Sequence, residues 1–121
     1  MISGKTRGSI FTIFIFIFLF LSCEKQDNQR VCDRLQKWDT QLAINPERIR
    51  DSMKMIDPEV LSGADRAYFD LIKVIADDKS FVAFTSDSLI TSVEDYYRRH
   101  EPNSYNHIRS LIYQGIVRYR M

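Results

Sequence analysis

The chain is poor in the residues that most enzyme sites need. Its 121 residues include only four glycines, two cysteines and two histidines. Gly4 and Gly8 fall within the first eight residues, and the two other glycines lie too far apart to form a glycine-rich phosphate loop. His100 and His107 stand seven residues apart across Pro102, so one helix cannot direct both at a metal ion. We therefore predict that the protein is not an enzyme and holds no cofactor or metal ion.

Only one long apolar run occurs, and it lies near the N-terminus. Residues 10–21 are all Ile, Phe or Leu except Thr12, and Lys5 and Arg7 precede them without any acidic residue. A basic start, an apolar run of about 7–15 residues and a small residue at the cleavage point are the layout of a secretory signal. A helix of this length spans about 18 Å, whereas a bilayer core needs about 20 residues. We predict a signal peptide over residues 1–22 rather than a membrane span.

The signal ends at a cysteine. Residues 19–23 read Leu-Phe-Leu-Ser-Cys, which resembles the lipobox of bacterial lipoproteins. The resemblance implies a diacylglycerol bound to Cys23 through a thioether, cleavage before this residue and acylation, as with palmitate, of the new N-terminus. Two or more acyl chains hold a protein on a membrane without a span. Residues 23–30 are then a lipidated cysteine and its polar tether, and Cys32 has no disulfide partner. The alternatives are an ordinary signal peptide with a chance cysteine and a buried N-terminal helix.

This anchor predicts a cell-envelope location, that of an outer-membrane lipoprotein, with the periplasmic and surface faces both open. Without residues 1–22 the chain has 15 basic and 16 acidic residues, net −1, which argues against nucleic-acid binding. The charge is uneven, since residues 24–95 carry net −5 and residues 96–121 net +4. The basic end is predicted to dock on an acidic partner or on the acidic half of the same fold, unless it is only a solvated helix face.

Beyond residue 30 the apolar residues recur at intervals of three and four, which is typical of amphipathic helices. No stretch keeps the polar–apolar alternation that marks a strand. We predict an all-α fold over residues 31–121, made of antiparallel helix hairpins joined by short turns. The five predicted helices cover roughly residues 29–43, 46–56, 63–79, 86–100 and 104 onwards.

Polar residues at the predicted helix starts indicate their caps. Asn45 is placed as an N-cap, Ser62 with Asp65 resembles a capping box, and Thr85 or Ser86 is expected to cap the fourth helix. The third helix has the widest apolar face, so we expect it to be the most buried.

Two apolar segments are expected to require burial against other parts of the protein. Residues 80–85 include Phe81 and are too apolar for a bare loop, so we expect them to pack on a neighbour. The fifth helix carries Leu111, Ile112 and Ile116 on a face that is predicted to lack a cover on one side.

The hairpins resemble the N-terminal part of tetratricopeptide-repeat lipoproteins of Bacteroidetes, over residues 45–121 and the signal. Ala-Tyr-Phe-Asp-Leu at 67–71 and Leu-Ile-Tyr-Gln-Gly at 111–115 open hairpins 44 residues apart, a degenerate repeat beside the usual period of about 34. Gly115 matches the repeat's glycine. The resemblance implies an array that is incomplete at the C-terminus and belongs to a longer protein. The rival is a complete small lipoprotein whose last helix packs on the first.

The function implied is a lipid-anchored envelope protein with a helical-repeat protein–protein interaction domain. Its partners would be the membrane, through Cys23, and an unknown protein or peptide. Tyr96, Tyr97, Tyr105 and Tyr113 are the predicted binding residues, because Tyr supplies a large contact area at low entropy cost, although most of them also suit a core. The alternative is a compact lipoprotein acting as an inhibitor or immunity-type partner of one envelope enzyme.

Two short motifs resemble Bacteroidetes O-glycosylation sites. They are Asp-Ser-Met at residues 51–53 and Asp-Ser-Leu at residues 87–89. Ser52 and Ser88 are the candidate acceptors, although Ser88 also fits the first turn of a helix.

Overall fold

The computed structural model describes residues 30–121, and this part of the chain contains five helices and no strand. The predicted all-α class is confirmed. Residues 34–121 form one compact unit, and the packing described below lies within it. Helix α1 covers residues 30–41 of the described range, and the others are α2 (Pro46–Met53), α3 (Gly63–Lys79), α4 (Ser88–His100) and α5 (Tyr105–Arg120). A 3-10 turn, Pro58–Val60, separates α2 from α3.

Helix α3 is the centre of the fold, because it contacts α2, α4 and α5. Nine of its 17 residues are buried, among them Leu71 and Ile72 with no exposed surface. The prediction that the third helix is the most buried is confirmed. Buried apolar side chains of the neighbouring helices complete the core, and they are Leu35, Leu42, Ile49, Met53, Ile90, Val93, Tyr97 and Val117.

Helix α2 is shorter than predicted. The Asn45 side chain accepts a hydrogen bond from the Arg48 N–H at 3.3 Å, which confirms the predicted N-cap. The helix ends at Met53 rather than at Ile56. Successive i to i+3 bonds, such as Lys54 N–H to the Asp51 carbonyl at 3.3 Å, tighten the chain into turns that lead to the 3-10 segment.

The capping box predicted at the start of α3 does not form. Ser62 is the N-cap residue, but its side chain makes no capping hydrogen bond. Gly63, the first helical residue, has φ +56°, a left-handed conformation that glycine adopts without steric cost. A capping box needs a right-handed first turn, so this glycine prevents Ser62 and Asp65 from closing it.

The cap of α4 is also displaced. Asp87 occupies the N-cap position without a side-chain bond, while the Ser86 hydroxyl accepts from the Ser88 N–H at 3.1 Å. The Asp87 carboxylate binds Arg118 of α5 at 2.8 Å instead. A long-range ion pair has therefore replaced the local cap.

The segment after α3 packs only in part. Phe84 lies half-buried with the Arg120 guanidinium 5.1 Å from its ring centroid, as an apolar connector predicts. Phe81 is 88% exposed, so the prediction was wrong for this residue. It has φ +59°, and the bonds from its N–H to the Asp78 carbonyl and from the Val82 N–H to the Asp77 carbonyl form a Schellman helix end. The left-handed position at that helix end holds Phe81 clear of the core.

Candidate functional site

Helix α5 has an inner face that joins the core. His107, Ser110 and Val117 are buried along it, and α5 contacts both α4 and α3. The helix begins at Ser104, whose hydroxyl accepts a hydrogen bond from the His107 N–H at 3.1 Å, as predicted for a start near this residue.

The other face of α5 is apolar and exposed. Five large side chains lie on it, and we call them the outer stripe: Tyr105 (74% exposed), Ile108 (50%), Leu111 (47%), Ile112 (55%) and Tyr119 (92%). Gly115 continues the same line, since residues 105, 108, 112, 115 and 119 step alternately by three and four. The predicted lack of cover is confirmed for Leu111 and Ile112, whereas Ile116 is half-buried. Apolar surface on this scale is available for binding.

The basic charge of α5 is paired within the chain. Each of its three arginines binds an aspartate of an earlier segment, in the pairs Arg109–Asp39, Arg118–Asp87 and Arg120–Asp78. The uneven charge had several possible explanations. The structure shows the basic end docked on the acidic half of the same fold. These pairs clamp α5 to α1, to the end of α3 and to the residue before α4.

The least exposed of these pairs is part of a small network. Arg109 donates from its two terminal nitrogens to the two Asp39 oxygens at 2.8 and 2.7 Å, and the Tyr68 hydroxyl donates to Asp39 at 2.6 Å. Burial raises the pKa of Asp39, but the hydrogen bonds from Arg109 and Tyr68 outweigh burial and hold this pKa below its usual value. Burial and the Asp39 carboxylate raise the pKa of Tyr68. The network fixes an ionised Asp39 between the first and last helices.

A second polar contact joins α4 and α5. The His107 Nδ1 accepts from the Asn103 N–H at 3.0 Å, and its Nε2 lies 3.3 Å from a Glu94 oxygen. Because Nδ1 is an acceptor, the proton of a neutral ring sits on Nε2 and is donated to the carboxylate. From the sequence this histidine was considered only as a metal ligand together with His100, because no local signal links it to Glu94. It orients the two helices.

The four predicted tyrosines do not form one surface. Tyr105 belongs to the outer stripe, and Tyr113 is half-buried with its pKa raised by burial. Tyr97 is 1% exposed and lies in the core. Tyr96 packs edge-on against Tyr97 at 5.4 Å between ring centroids and stacks on His100 at 4.3 Å. Tyr119, the most exposed tyrosine of the stripe, was not predicted, although it continues the helical spacing past Gly115.

The other predicted sites are spread over the chain. Ser88 is exposed at the start of α4, where its hydroxyl pairs with Ser86 at 3.0 Å, and Ser52 is half-exposed on α2. Cys23, together with the signal peptide over 1–22, lies outside the described residues.

An open cavity of about 380 Å³ lies beside α2 and α3. Its apolar wall is formed by Met53, Ile56, Phe69 and Leu89. Its charged rim is paired, with Arg50 and Lys73 on Asp77 at 2.7 and 2.8 Å and Arg66 on Asp70 at 2.8 Å. The size suits a small apolar ligand or side chain, but the rim charges are already engaged with one another.

Within residues 30–121, no helix is long and apolar enough to cross a bilayer, and no group of three or more His, Cys, Asp or Glu side chains is placed to hold a metal ion. No protein-family profile, curated protein or solved structure matches this chain.

Proposed function

We propose that this chain is a lipid-anchored cell-envelope protein whose helical domain binds other proteins through the outer stripe of α5 and performs no catalysis. The observation that carries the proposal is the stripe itself. Monomeric proteins rarely expose contiguous apolar patches larger than a few hundred Å², and larger ones mark interaction sites. Here five large side chains are exposed on one face of a helix, which is the pattern of a helix-binding surface.

A tetratricopeptide-like array is the proposed architecture. Its support is the order of packing, because α2 contacts α3, α3 contacts α4 and α4 contacts α5. In repeat arrays each element likewise packs on its sequence neighbours, and the outermost helix carries a face that the next element or a partner covers.

The anchor is proposed from the lipobox resemblance around Cys23. Intact-mass analysis of the full chain isolated from bacterial membranes tests it. We expect residues 23–121 with an added diacylglycerol and acyl chain, and a Cys23→Ala variant without lipid. An unmodified cysteine in the membrane-isolated protein would contradict the anchor.

The interaction surface is tested by photo-crosslinking of the full chain in bacterial cells that express it. A benzophenone amino acid replaces Ile112 in the stripe, and in a matched control it replaces Val60, which is 74% exposed in the 3-10 turn. We expect covalent protein adducts from position 112 and few from position 60. Equal yields from the two positions, or none from 112, would contradict the proposal.

A compact inhibitor or immunity-type lipoprotein is the second candidate. The Asp39–Arg109 pair favours it, because this pair ties the first helix to the last and closes the fold on itself. This candidate requires one tightly bound envelope enzyme, so a single adduct of constant mass from position 112, inhibiting that enzyme when purified, would distinguish it.

A further inference from the structure

Gly115 stands where the fold gives it no role. It lies in the interior of α5, and a Cβ added there would meet no heavy atom within 4 Å. Glycine weakens a helix interior relative to alanine because it loses more backbone freedom on folding. Within residues 34–121 no side chain uses the space that the missing Cβ leaves. A small residue on an exposed helix face allows another backbone to approach closely.

The outer stripe has the register of a helix-pairing seam. Steps of three and four from Tyr105 to Tyr119 place every stripe residue except Leu111, together with Gly115, at the a and d positions of a heptad. When two such helices are antiparallel, each a position faces a d position of the partner. Ile112 then covers the Gly115 of the other copy and Ile108 meets its Tyr119, and the two-fold axis repeats both contacts. A large side chain thus lies opposite the space that the missing side chain of Gly115 leaves.

The charges of α5 also permit self-pairing. The helix contains arginines and no acidic residue, so two bare copies would repel. Arg109, Arg118 and Arg120 are each bound to an aspartate of their own chain, which compensates their charge. An acidic partner would have to compete with those aspartates, whereas a second neutral stripe would not. The charge pattern therefore favours a neutral, apolar partner.

The exposed area is sufficient for a weak dimer. In this register Tyr105 faces no α5 residue of the other copy. With aromatic side chains of about 150–250 Å², the other four stripe residues at their observed exposure present on the order of 500 Å² per copy. Two copies together bury about 1,000 Å², the size of a weak interface. Tethering on one membrane raises the effective concentration of such a pair.

We infer that the partner on the outer stripe is a second copy of this chain, paired antiparallel through α5 with closest approach at Gly115. The inference rests on the proposed binding function of the same stripe and names the partner.

The test uses the full chain in bacterial membranes, expressed as two copies with different epitope tags. The benzophenone amino acid again replaces Ile112, with the Val60 position as control. We expect an adduct of twice the chain mass that carries both tags from position 112 and not from position 60. Gly115→Ala in the same experiment should lower the yield of this adduct by roughly tenfold, because the added methyl fills the gap that receives the side chain at position 112 of the other copy.

The possible outcomes distinguish the second copy as partner from the proposed binding function of the stripe. A doubly tagged adduct that Gly115→Ala suppresses supports the inference. Adducts from position 112 to a different protein alone would overturn the second copy as partner and leave the proposed binding function standing. No protein adduct from position 112 would overturn both. A doubly tagged adduct that Gly115→Ala leaves unchanged would overturn the packing at Gly115. Circular dichroism of the Gly115→Ala protein, which should melt no lower than the original, excludes misfolding as the cause.

Discussion

Helices α3 and α5 have 17 and 16 residues, and both are rich in apolar side chains, yet the fold uses them differently. Neighbouring helices cover α3, and nine of its residues are buried. Helix α5 buries three residues and exposes the outer stripe. The apolar surface of α3 is buried and stabilises the fold. Most of the apolar surface of α5 is exposed and contributes nothing to the stability of the described fold. A matched pair of substitutions in the two helices can therefore separate a core role from a binding role.

The largest expected effect compares two isoleucines. Ile72 in α3 has no exposed surface, and Ile112 in the outer stripe is 55% exposed. Ile72→Ala should lower the free energy of unfolding by about 2–5 kcal/mol, because it leaves a cavity. Ile112→Ala should change it by no more than about 0.5 kcal/mol. Urea unfolding followed by circular dichroism checks both, and similar losses would mean that the stripe is covered within the chain.

The next effect concerns the arginines that hold α5. Removing one partner of a buried pair leaves an uncompensated charge, so Arg109→Met should destabilise the protein by roughly 2–3 kcal/mol, somewhat below the cost at a fully buried site. Arg118→Met is the control, because its pair with Asp87 is more exposed and should cost less than about 1 kcal/mol. Urea midpoints at one pH compare the two variants, and equal losses would contradict a special role for Asp39–Arg109.

The Asp39 network also predicts the direction of a pH effect. Its carboxyl has a lowered pKa in the folded protein, so its contribution to stability is present above the unfolded value of about 3.9 and is lost as the pH falls through the folded value. The original protein should therefore lose more stability between pH 5 and the acid range than Arg109→Met does. Thermal melts across this range measure the difference, and parallel curves would argue against it.

Phe81 offers a smaller effect of the opposite sign. Its left-handed backbone suits glycine, and its exposed ring buries little. Phe81→Gly should raise the free energy of unfolding by about 1 kcal/mol, whereas Phe81→Ala keeps the Cβ and should give no such gain. Thermal melts of the two variants make the comparison, and a loss with glycine would show that the ring supports the fold.

Local signals allowed part of the fold to be predicted. Asn45 caps α2 as expected, since a cap depends on residues three positions apart, and α5 begins at Ser104, where its start was expected. The cap predicted at Ser62 does not form, because the left-handed backbone of Gly63 sets the geometry of the first turn of α3. The Asp39–Arg109 pair joins residues 70 positions apart, and only the charge asymmetry hinted at it.

The candidate surface was predicted less completely. Tyr97 and Tyr105 looked equivalent in sequence, yet one is in the core and the other is exposed, because the covering helices decide which face is buried. The uncovered face was expected from Leu111 and Ile112. Its extension to Tyr119 required following the helical period past Gly115, whose lack of a side chain interrupts the apolar pattern.

The most direct test of the binding role of α5 is a photo-crosslinking scan. The benzophenone amino acid is placed in turn at each position from 105 to 119 of the full chain in bacterial membranes. The account predicts protein adducts that peak at the outer stripe with the three-and-four spacing of a helix face. Yields without that spacing, or peaks on the opposite face that carries Ser110 and Val117, would contradict it.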